Sequence, residues 1–263
     1  MNNVDENIKG NLIMSINDVN LSFGGLKALV DVSLDIYEKQ ILAIIGPNGA
    51  GKSCMLNIIS GIYTPQDGSV EWKGEKRGKI APHDIAKMGI ARTFQNIALF
   101  RGMSALDNIL TGRNLLMKRG ILAEMFYMGW AKDQEIAHRK KVEEIIDFLE
   151  IQSIRKTPVS RLPYGIQKRV ELGRALAAEP EMLLLDEPMA GMNVEEKEDM
   201  CRFILDVNDQ FGTTIVLIEH DMGVVMDISD RVAVLDYGRK IADDSPDKVR
   251  ANQKVIDAYL GAA

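Results

Sequence analysis

The sequence predicts an α/β fold in which a mostly parallel sheet is interrupted by a helical segment. Two apolar runs, QILAIIG at 40–46 and EMLLLDEP at 181–188, fit strands that are buried on both faces. Between them, from about residue 104 to residue 150, apolar residues recur mainly at helical spacing. The order is therefore a β-rich start, a strand–loop–helix unit, a helical middle and a β–α–β end.

The elements follow from local patterns. The predicted strands besides those two runs are LIMSIND (12–18), VNLSF (19–23), DVSLDIY (31–37), SVEWKG (69–74), GIARTFQ (89–95) and TTIVLIEHD (213–221). RVAVLDYGRKIAD at 231–243 predicts a hairpin that turns at Tyr237-Gly238, and two short helices close the chain. A helix is expected from about Gly165, with Pro163 at its start. We expect a helical subdomain at about 97–178, inserted in one domain.

Composition excludes several classes of protein. The chain has 263 residues and a formal net charge of −6, which argues against a general nucleic-acid binder. No window approaches 18 uninterrupted apolar residues, so we expect no membrane span, and the polar start MNNVDENIKGN lacks the apolar core of a secretion signal. The two cysteines, Cys54 and Cys201, lie far apart and suggest a reducing compartment.

The stretch GPNGAGKS at 46–53 matches the phosphate-loop pattern G-x-x-x-x-G-K-[ST]. Its glycines let backbone N–H groups turn toward a phosphate, Lys52 supplies a positive charge, and Ser53 supplies a hydroxyl for Mg²⁺. A buried strand precedes it and a helix follows, which favours this reading over a plain Gly-rich turn. The predicted nucleotide contacts are Gly46, Pro47, Asn48, Gly49, Ala50, Gly51, Lys52, Ser53 and Cys54.

A second candidate feature is the acidic end of the strand in EMLLLDEP. The carboxyl edge of such a sheet is where ligands bind. Asp186 is expected to support the Mg²⁺ shell, and Glu187 to polarise an attacking water. The alternative is a solvated acidic turn.

Together these motifs resemble the ABC transporter ATPase family over about residues 12–262. Six features occur in the family's order: Phe23, the loop 46–53, Gln95, the stretch around Gly165, Asp186-Glu187 and His220. The resemblance implies a single nucleotide-binding domain with a P-loop NTPase core, an N-terminal antiparallel β subdomain and an inserted helical subdomain. It also implies hydrolysis of ATP with Mg²⁺.

The resemblance assigns roles to three further side chains. Phe23 resembles the aromatic residue that stacks on adenine, Gln95 the glutamine that reaches Mg²⁺ and the attacking water, and His220 the histidine that contacts the γ-phosphate. The alternatives are a core phenylalanine, an exposed turn residue and a structural histidine.

The stretch LPYGIQ at 162–167 occupies the place of the family signature, which in the family faces the γ-phosphate held by a partner subunit. Gly165 is kept. Pro163 and Ile166 stand where the family usually has serine and glutamine, and Asn193 stands where it often has aspartate. These departures put in doubt the full activity of the composite site that this signature completes.

The closest resemblance within the family is to ATPase subunits of importers of the branched-chain amino-acid type. It rests on 89–110, AGMN at 190–193, 217–232 and the ending VRANQKVIDAYLGAA. It implies a second ATPase subunit, identical or different, two permease subunits and an external solute-binding protein. It places the chain peripherally on the cytoplasmic face of the inner membrane.

The transported solute is expected to be a branched-chain amino acid or a related small amide or carboxylate. Alternatives are an ATPase of the lipopolysaccharide-export type and a soluble ABC protein. Residues 95–106 are the expected permease contact, and 112–140 form either helical core or a surface that docks a permease or lies near lipid.

Overall fold

A computed structural model describes residues 10–79, 82–93, 95–114, 116 and 129–260. The N-terminal part forms an antiparallel sheet in the order β2-β1-β4-β5. Its strands are β1 (Leu12–Phe23), β2 (Leu26–Tyr37), β4 (Asp67–Trp72) and β5 (Glu75–Arg77).

The second sheet has six strands in the order β10-β9-β3-β8-β7-β6. Its strands are β3 (Ile41–Ile45), β6 (Ile90–Arg92), β7 (Met182–Asp186), β8 (Thr214–Ile218), β9 (Arg231–Asp236) and β10 (Arg239–Asp244). All neighbours pair in parallel except β9 and β10. The carboxyl ends of β3, β7 and β8 therefore meet at one edge, where ligands of such sheets bind.

Helices cover both faces of the six-stranded sheet. They are α1 (Lys52–Ile59), α2 (Pro82–Lys87), α3 (Ala105–Thr111), α4 (Gly129–Phe148), α5 (Tyr164–Leu176), α6 (Val194–Phe211), α7 (Met222–Ile228), α8 (Pro246–Arg250) and α9 (Gln253–Leu260). Short 3₁₀ turns occur at Gln152–Ile154 and Val159–Arg161. In the part of the chain that the structure describes, no helix combines the length and apolar character needed to cross a membrane.

The core explains why the central strands lack polar alternation. All five residues of β3 are buried. Leu42 and Ile44 face a cluster shared with the N-terminal sheet and α1, whereas Ala43 and Ile45 face a cluster formed with α7, α8 and α9. A strand covered by apolar layers on both faces gains nothing from a polar side chain.

The predicted fold class is confirmed, as are the buried strands and the hairpin at Tyr237-Gly238. The prediction of separate strands at 12–18 and 19–23 is wrong, because both belong to β1. Asp18 has φ of 48° at a register shift between Ile16 and Val19, so the chain bulges there and continues in the same strand.

Three further details depart from the sequence predictions. Strand β6 ends at Arg92, short of the predicted 95, and neither β5 nor α2 was predicted. Strand β5 carries only the charged residues Glu75, Lys76 and Arg77, so it has no apolar pattern to detect. Residues 115 and 117–128 of the predicted segment 112–140 lie outside the described residues, and the limits of a helical subdomain at 97–178 stay a prediction.

Candidate nucleotide site

The phosphate-loop motif forms the connection between β3 and α1. Gly46 has φ of 149°, and a Cβ atom there would lie 2.0 Å from the carbonyl oxygen of Leu235. Gly51 has φ of 100°, and a Cβ atom would lie 2.7 Å from the carbonyl oxygen of Ala28. Both positions therefore require glycine for conformation and for space. The result is a loop with an open backbone face at the N-terminus of a helix, which suits an anion.

Lys52 turns back over this loop. Its Nζ donates hydrogen bonds to the carbonyl oxygens of Gly46, at 2.8 Å, and Pro47, at 3.0 Å. Burial lowers the pKa of the Lys52 ammonium, and the carboxylates of Glu187 and Asp186 oppose that shift. The carboxylates at the end of β7 thus act electrostatically on the lysine of this loop.

Ser53 and Cys54 begin the helix but differ in their surroundings. The Ser53 side chain is exposed at the first turn of α1, whereas Cys54 is half-buried against the cluster between the two sheets. Burial raises the pKa of the Cys54 thiol. The Cys54 thiol thus packs partly against this cluster, and its predicted contact with the nucleotide stays a prediction.

The hairpin at Tyr237-Gly238 supports the loop from the side. The Gly238 N–H donates to the carbonyl oxygen of Ala50 at 3.1 Å, and the Gly238 carbonyl accepts from the N–H of Val30 at 2.8 Å. These bonds join the phosphate loop to both sheets. Sequence analysis predicted the hairpin but not this contact, since the loop and the hairpin are nearly 190 residues apart.

Asp186, the last residue of β7, is buried and paired with an arginine. Its Oδ2 accepts a hydrogen bond from Arg92 at 2.8 Å, and the two side chains are 9% and 12% exposed. Arg92 also donates to Asn57 at 2.7 Å and Ser60 at 3.1 Å, both on or just after α1. Arg92 thus orients the carboxylate, and sequence analysis missed it.

The three predicted catalytic side chains meet at the carboxyl edge of the sheet. Gln95 Nε2 donates to Glu187 Oε2 at 2.9 Å, and His220 Nε2 lies 2.8 Å from Glu187 Oε1. Glu187 has φ of 48°, an uncommon conformation for a residue other than glycine, and its N–H donates to the Ile218 carbonyl. The backbone turns sharply after β7 and so points the Glu187 carboxylate between the other two side chains.

A cleft of about 390 Å³ opens beside this cluster. It is lined by Gln95, Asn96, Ala98 and Asp186.

Phe23 is 46% exposed, and its ring packs edge-on against Tyr63, with ring centroids 5.2 Å apart. Phe23 is therefore not a core residue, and Tyr63 is a support that sequence analysis did not identify.

The ABC transporter family profile matches residues 29–190, which include the phosphate loop and the acidic strand end. The chain is an ATP-binding cassette of this family. A second profile, of the branched-chain amino acid ATP-binding cassette transporter, matches residues 239–263 of the cassette. The cassette is thus an ATPase that binds ATP.

Individual relatives agree with the family profiles. The high-affinity branched-chain amino acid transport ATP-binding protein BraF of Pseudomonas aeruginosa is 36% identical over 95% of the cassette and 98% of that protein. A solved ABC transporter cassette in its ADP conformation is 29% identical, with a TM-score of 0.82 over 95% of the cassette and 99% of that chain. A dimeric cassette in a post-hydrolysis state, bound to ADP and Pi, is 25% identical, with a TM-score of 0.74 over 89% and 99%.

The signature stretch of the cassette lies at the start of α5. Pro163 is the residue before the helix, and Tyr164 is exposed. Gly165 is buried, and a Cβ atom there would lie 2.4 Å from Glu196 Oε1 on α6. Gly165 therefore allows α5 and α6 to approach closely.

Asn193, the other departure from the family pattern, begins α6. Its side chain accepts from the Glu196 N–H at 2.9 Å, and Glu196 accepts from the Asn193 N–H at 3.0 Å. This is a capping box, in which asparagine serves as well as aspartate. The substitution is therefore compatible with the local structure.

Helix α5 also holds the loop that follows Gln95. Lys168 Nζ donates to the Gln95 carbonyl at 3.0 Å, and Glu171 Oε1 accepts from the Ala98 N–H at 3.4 Å. Arg174 donates to the Ala98 carbonyl. The signature helix and the loop of a predicted catalytic residue are thus joined directly, which sequence analysis did not anticipate.

Proposed function

We propose that the cassette hydrolyses ATP to drive an importer of branched-chain amino acids or of related small amides or carboxylates. The observation that carries the proposal is the convergence of Gln95, Glu187 and His220 beside the phosphate loop. The match over 239–263 and the BraF relative support import over lipopolysaccharide export and over a soluble role.

The phosphate loop is proposed to bind the ATP phosphates through backbone N–H groups of residues 46 and 48–54, since Pro47 has no N–H. Lys52 then exchanges its bonds with the loop carbonyls for bonds to the β- and γ-phosphates. Phe23 presents a partly exposed ring to adenine while Tyr63 holds its edge. In this proposal, Gly165 contacts the nucleotide held by a partner cassette.

The residues around the cleft suit Mg²⁺, which prefers oxygen ligands. Ser53, Gln95 and Asp186 would hold it, with Asp186 fixed by the guanidinium of Arg92. Bound Mg²⁺ neutralises charge on the phosphate oxygens.

Hydrolysis requires a positioned water and a proton acceptor. Glu187 is proposed to accept the proton as the water oxygen bonds to the γ-phosphorus and the bond from that phosphorus to the bridging oxygen of ADP breaks. His220 and Gln95 hold the carboxylate from both sides, at 2.8 and 2.9 Å, which fixes its direction before the reaction.

The working assembly is proposed to contain a second cassette, two permease subunits and an external solute-binding protein. Nucleic acid is not a proposed partner. A related cassette has been solved as a dimer. The second cassette is either identical or different, and Pro163 and Ile166 in the signature favour a different one. The expected location is peripheral, on the cytoplasmic face of the inner membrane, with 95–106 as the permease contact.

The test is uptake of labelled leucine, isoleucine and valine in cells that lack the gene, beside a panel of aromatic and carboxylic acids. The wild-type gene and Lys73→Ala should restore uptake, since Lys73 is a surface residue of an ion pair with Glu181. Lys52→Ala should not. If deletion of the gene abolishes uptake of another solute only, that solute replaces the branched-chain amino acids as the proposed substrate. Unchanged uptake of every solute would refute the transport role.

A further inference from the structure

A buried carboxylate outside the predicted set joins the two loops that carry Glu187 and His220. Glu219 follows β8, directly before His220, and is 5% exposed. Its Oε1 accepts the N–H of Met189 at 2.9 Å, and its Oε2 accepts the N–H of His220 at 3.0 Å. One side chain therefore fixes the backbone after β7 relative to the backbone after β8.

These two bonds determine where the catalytic candidates can meet. Met189 lies two residues after Glu187, and His220 carries the imidazole that lies 2.8 Å from the Glu187 carboxylate. Hydrogen bonds from backbone N–H groups to a carboxylate are short and directional because the acceptor is charged. A glutamine in place of Glu219 offers one acceptor oxygen, and its amide N–H groups would face a backbone donor.

Charged and titratable side chains surround Glu219. The hydrogen bond to Asp221 chiefly raises the pKa of Lys197, and burial chiefly raises that of the Cys201 thiol. The charge of Glu219 adds to both shifts, so both side chains of α6 lie within its field. Lys197 in turn pairs with Asp221 at 2.8 Å, on the far side of His220 in the chain. A nearby ammonium group makes it easier to keep a carboxylate buried.

The hydrogen bond between Glu219 and the Met189 N–H also fixes a segment that reaches the signature helix, α5. Met189 begins the segment 189–193, which leads to the capping box of α6. Within it, a Cβ atom on Gly191 would lie 3.3 Å from Cε1 of Tyr164, at the start of α5. Glu219 therefore anchors one end of a segment whose middle touches the signature.

We propose that Glu219 is a positioning residue for ATP hydrolysis, holding Met189 and His220 so that the Glu187 carboxylate and the His220 imidazole stay in contact. The inference rests on the proposed function of the site. Glu219 acts through its neighbours: its hydrogen bonds among the described residues go to Met189 and His220, so its loss should slow hydrolysis while ATP binding stays intact.

The test is Glu219→Gln in the full-length chain, with MgATP hydrolysis and ATP binding measured separately. We expect kcat to fall about 10- to 100-fold, as for a small misplacement of reacting groups, with KM and ATP affinity within about twofold of wild type. Combined with His220→Ala, the loss should be less than the product of the two single losses, because both changes act on the same contact.

Asp230→Asn is the matched control. Asp230 Oδ2 accepts the Ile41 N–H at 2.7 Å, at the opposite end of β3 from the phosphate loop. This bond also joins a carboxylate to a backbone N–H, but it lies away from the catalytic candidates. Its loss should therefore lower Tm and leave kcat within about twofold of wild type. If Glu219→Gln does not fold, Glu219→Asp keeps the charge and both acceptors with a shorter reach, and must show the same selective loss of kcat.

Three outcomes would each overturn the inference. The first is a wild-type kcat in Glu219→Gln, and the second is an equal loss of kcat and of ATP affinity together with a lowered Tm like that of Asp230→Asn. The third is a double variant with His220→Ala whose loss of kcat equals the product of the two single losses. Glu187→Gln separates this failure from failure of the proposed function. If Glu187→Gln loses activity and Glu219→Gln does not, only the inference is wrong. If Glu187→Gln hydrolyses ATP at the wild-type rate, the proposed catalytic role of Glu187 is wrong and the inference falls with it.

Discussion

Glu171→Gln tests whether a buried ion pair anchors the signature helix to the loop of Gln95. Lys168 Nζ and Glu171 Oε2 lie 3.6 Å apart, and the two side chains are 2% and 1% exposed. Removing one partner of such a pair costs about 3–5 kcal/mol, because the other charge stays buried. At about 2–4 °C per kcal/mol for a chain of this size, Tm should fall by roughly 6–20 °C.

Glu144→Gln is the control for this prediction. Lys141 and Glu144 form a pair with the same spacing in sequence, 3.2 Å apart, but the side chains are 39% and 52% exposed. Exposed pairs contribute less than about 1 kcal/mol, so Tm should change by less than about 4 °C. Scanning calorimetry of both variants in one buffer at pH 7 gives the comparison directly.

The double variant Lys168→Met/Glu171→Leu tests whether the destabilisation in Glu171→Gln comes from the buried charge that remains. Replacing both partners by apolar side chains of similar volume removes the buried charges, so part of the decrease in Tm should be reversed. The Gln95 carbonyl and the Ala98 N–H lose their hydrogen bonds to these side chains, which limits the recovery. Hydrolysis by the double variant should fall below that of Glu171→Gln, because Lys168 no longer donates to the Gln95 carbonyl. Equal Tm changes in Glu171→Gln and Glu144→Gln would refute the reasoning.

Four further predictions concern the site and its surroundings. Glu187→Gln should lower hydrolysis by roughly 100-fold or more while ATP stays bound, measured by retention of labelled ATP; rapid release as ADP would contradict it. Gly46→Ala should abolish ATP binding in a calorimetric titration, because the new Cβ would lie 2.0 Å from a carbonyl oxygen, whereas Gly78→Ala, at a position with open space and no positive φ, should bind normally. Burial raises the pKa of the Cys201 thiol to about 11, so iodoacetamide should leave it largely unmodified at pH 8 in the folded chain. Since the folded state keeps the Cys201 proton more tightly, its contribution to stability is complete below about pH 8.5 and is lost as the pH rises toward 11, measurable as a Tm difference from Cys201→Ala.

The sequence by itself predicted the elements whose signals are local. The buried strands β3, β7 and β8 are continuous apolar runs, and the phosphate loop is a short pattern between a strand and a helix. It also predicted that Gln95, Glu187 and His220 belong together, through a family resemblance carried by motif order. Their catalytic roles remain predictions, although their side chains do meet.

Local signals also failed in identifiable ways. The sequence around Asp18 was interpreted as the end of a strand. A β-bulge and a strand end both interrupt the alternation of apolar and polar residues, so the sequence pattern does not distinguish them. Strand β5 is an edge strand without apolar residues, so only its pairing with β4 defines it. Helix α2 is short and begins at Pro82, which also suits a loop.

Only the tertiary structure decided the partners of the charged side chains. Arg92 orients Asp186 from 94 residues away, and Lys168 holds the Gln95 carbonyl from 73 residues away. Glu219 looks in sequence like one more polar residue at a strand end, and its place between Met189 and His220 depends on the parallel pairing of β7 and β8. Apolar periodicity is encoded along the chain because the hydrophobic effect acts on each side chain by its own burial. A hydrogen bond or ion pair instead depends on the distance and direction between two groups, which folding alone sets.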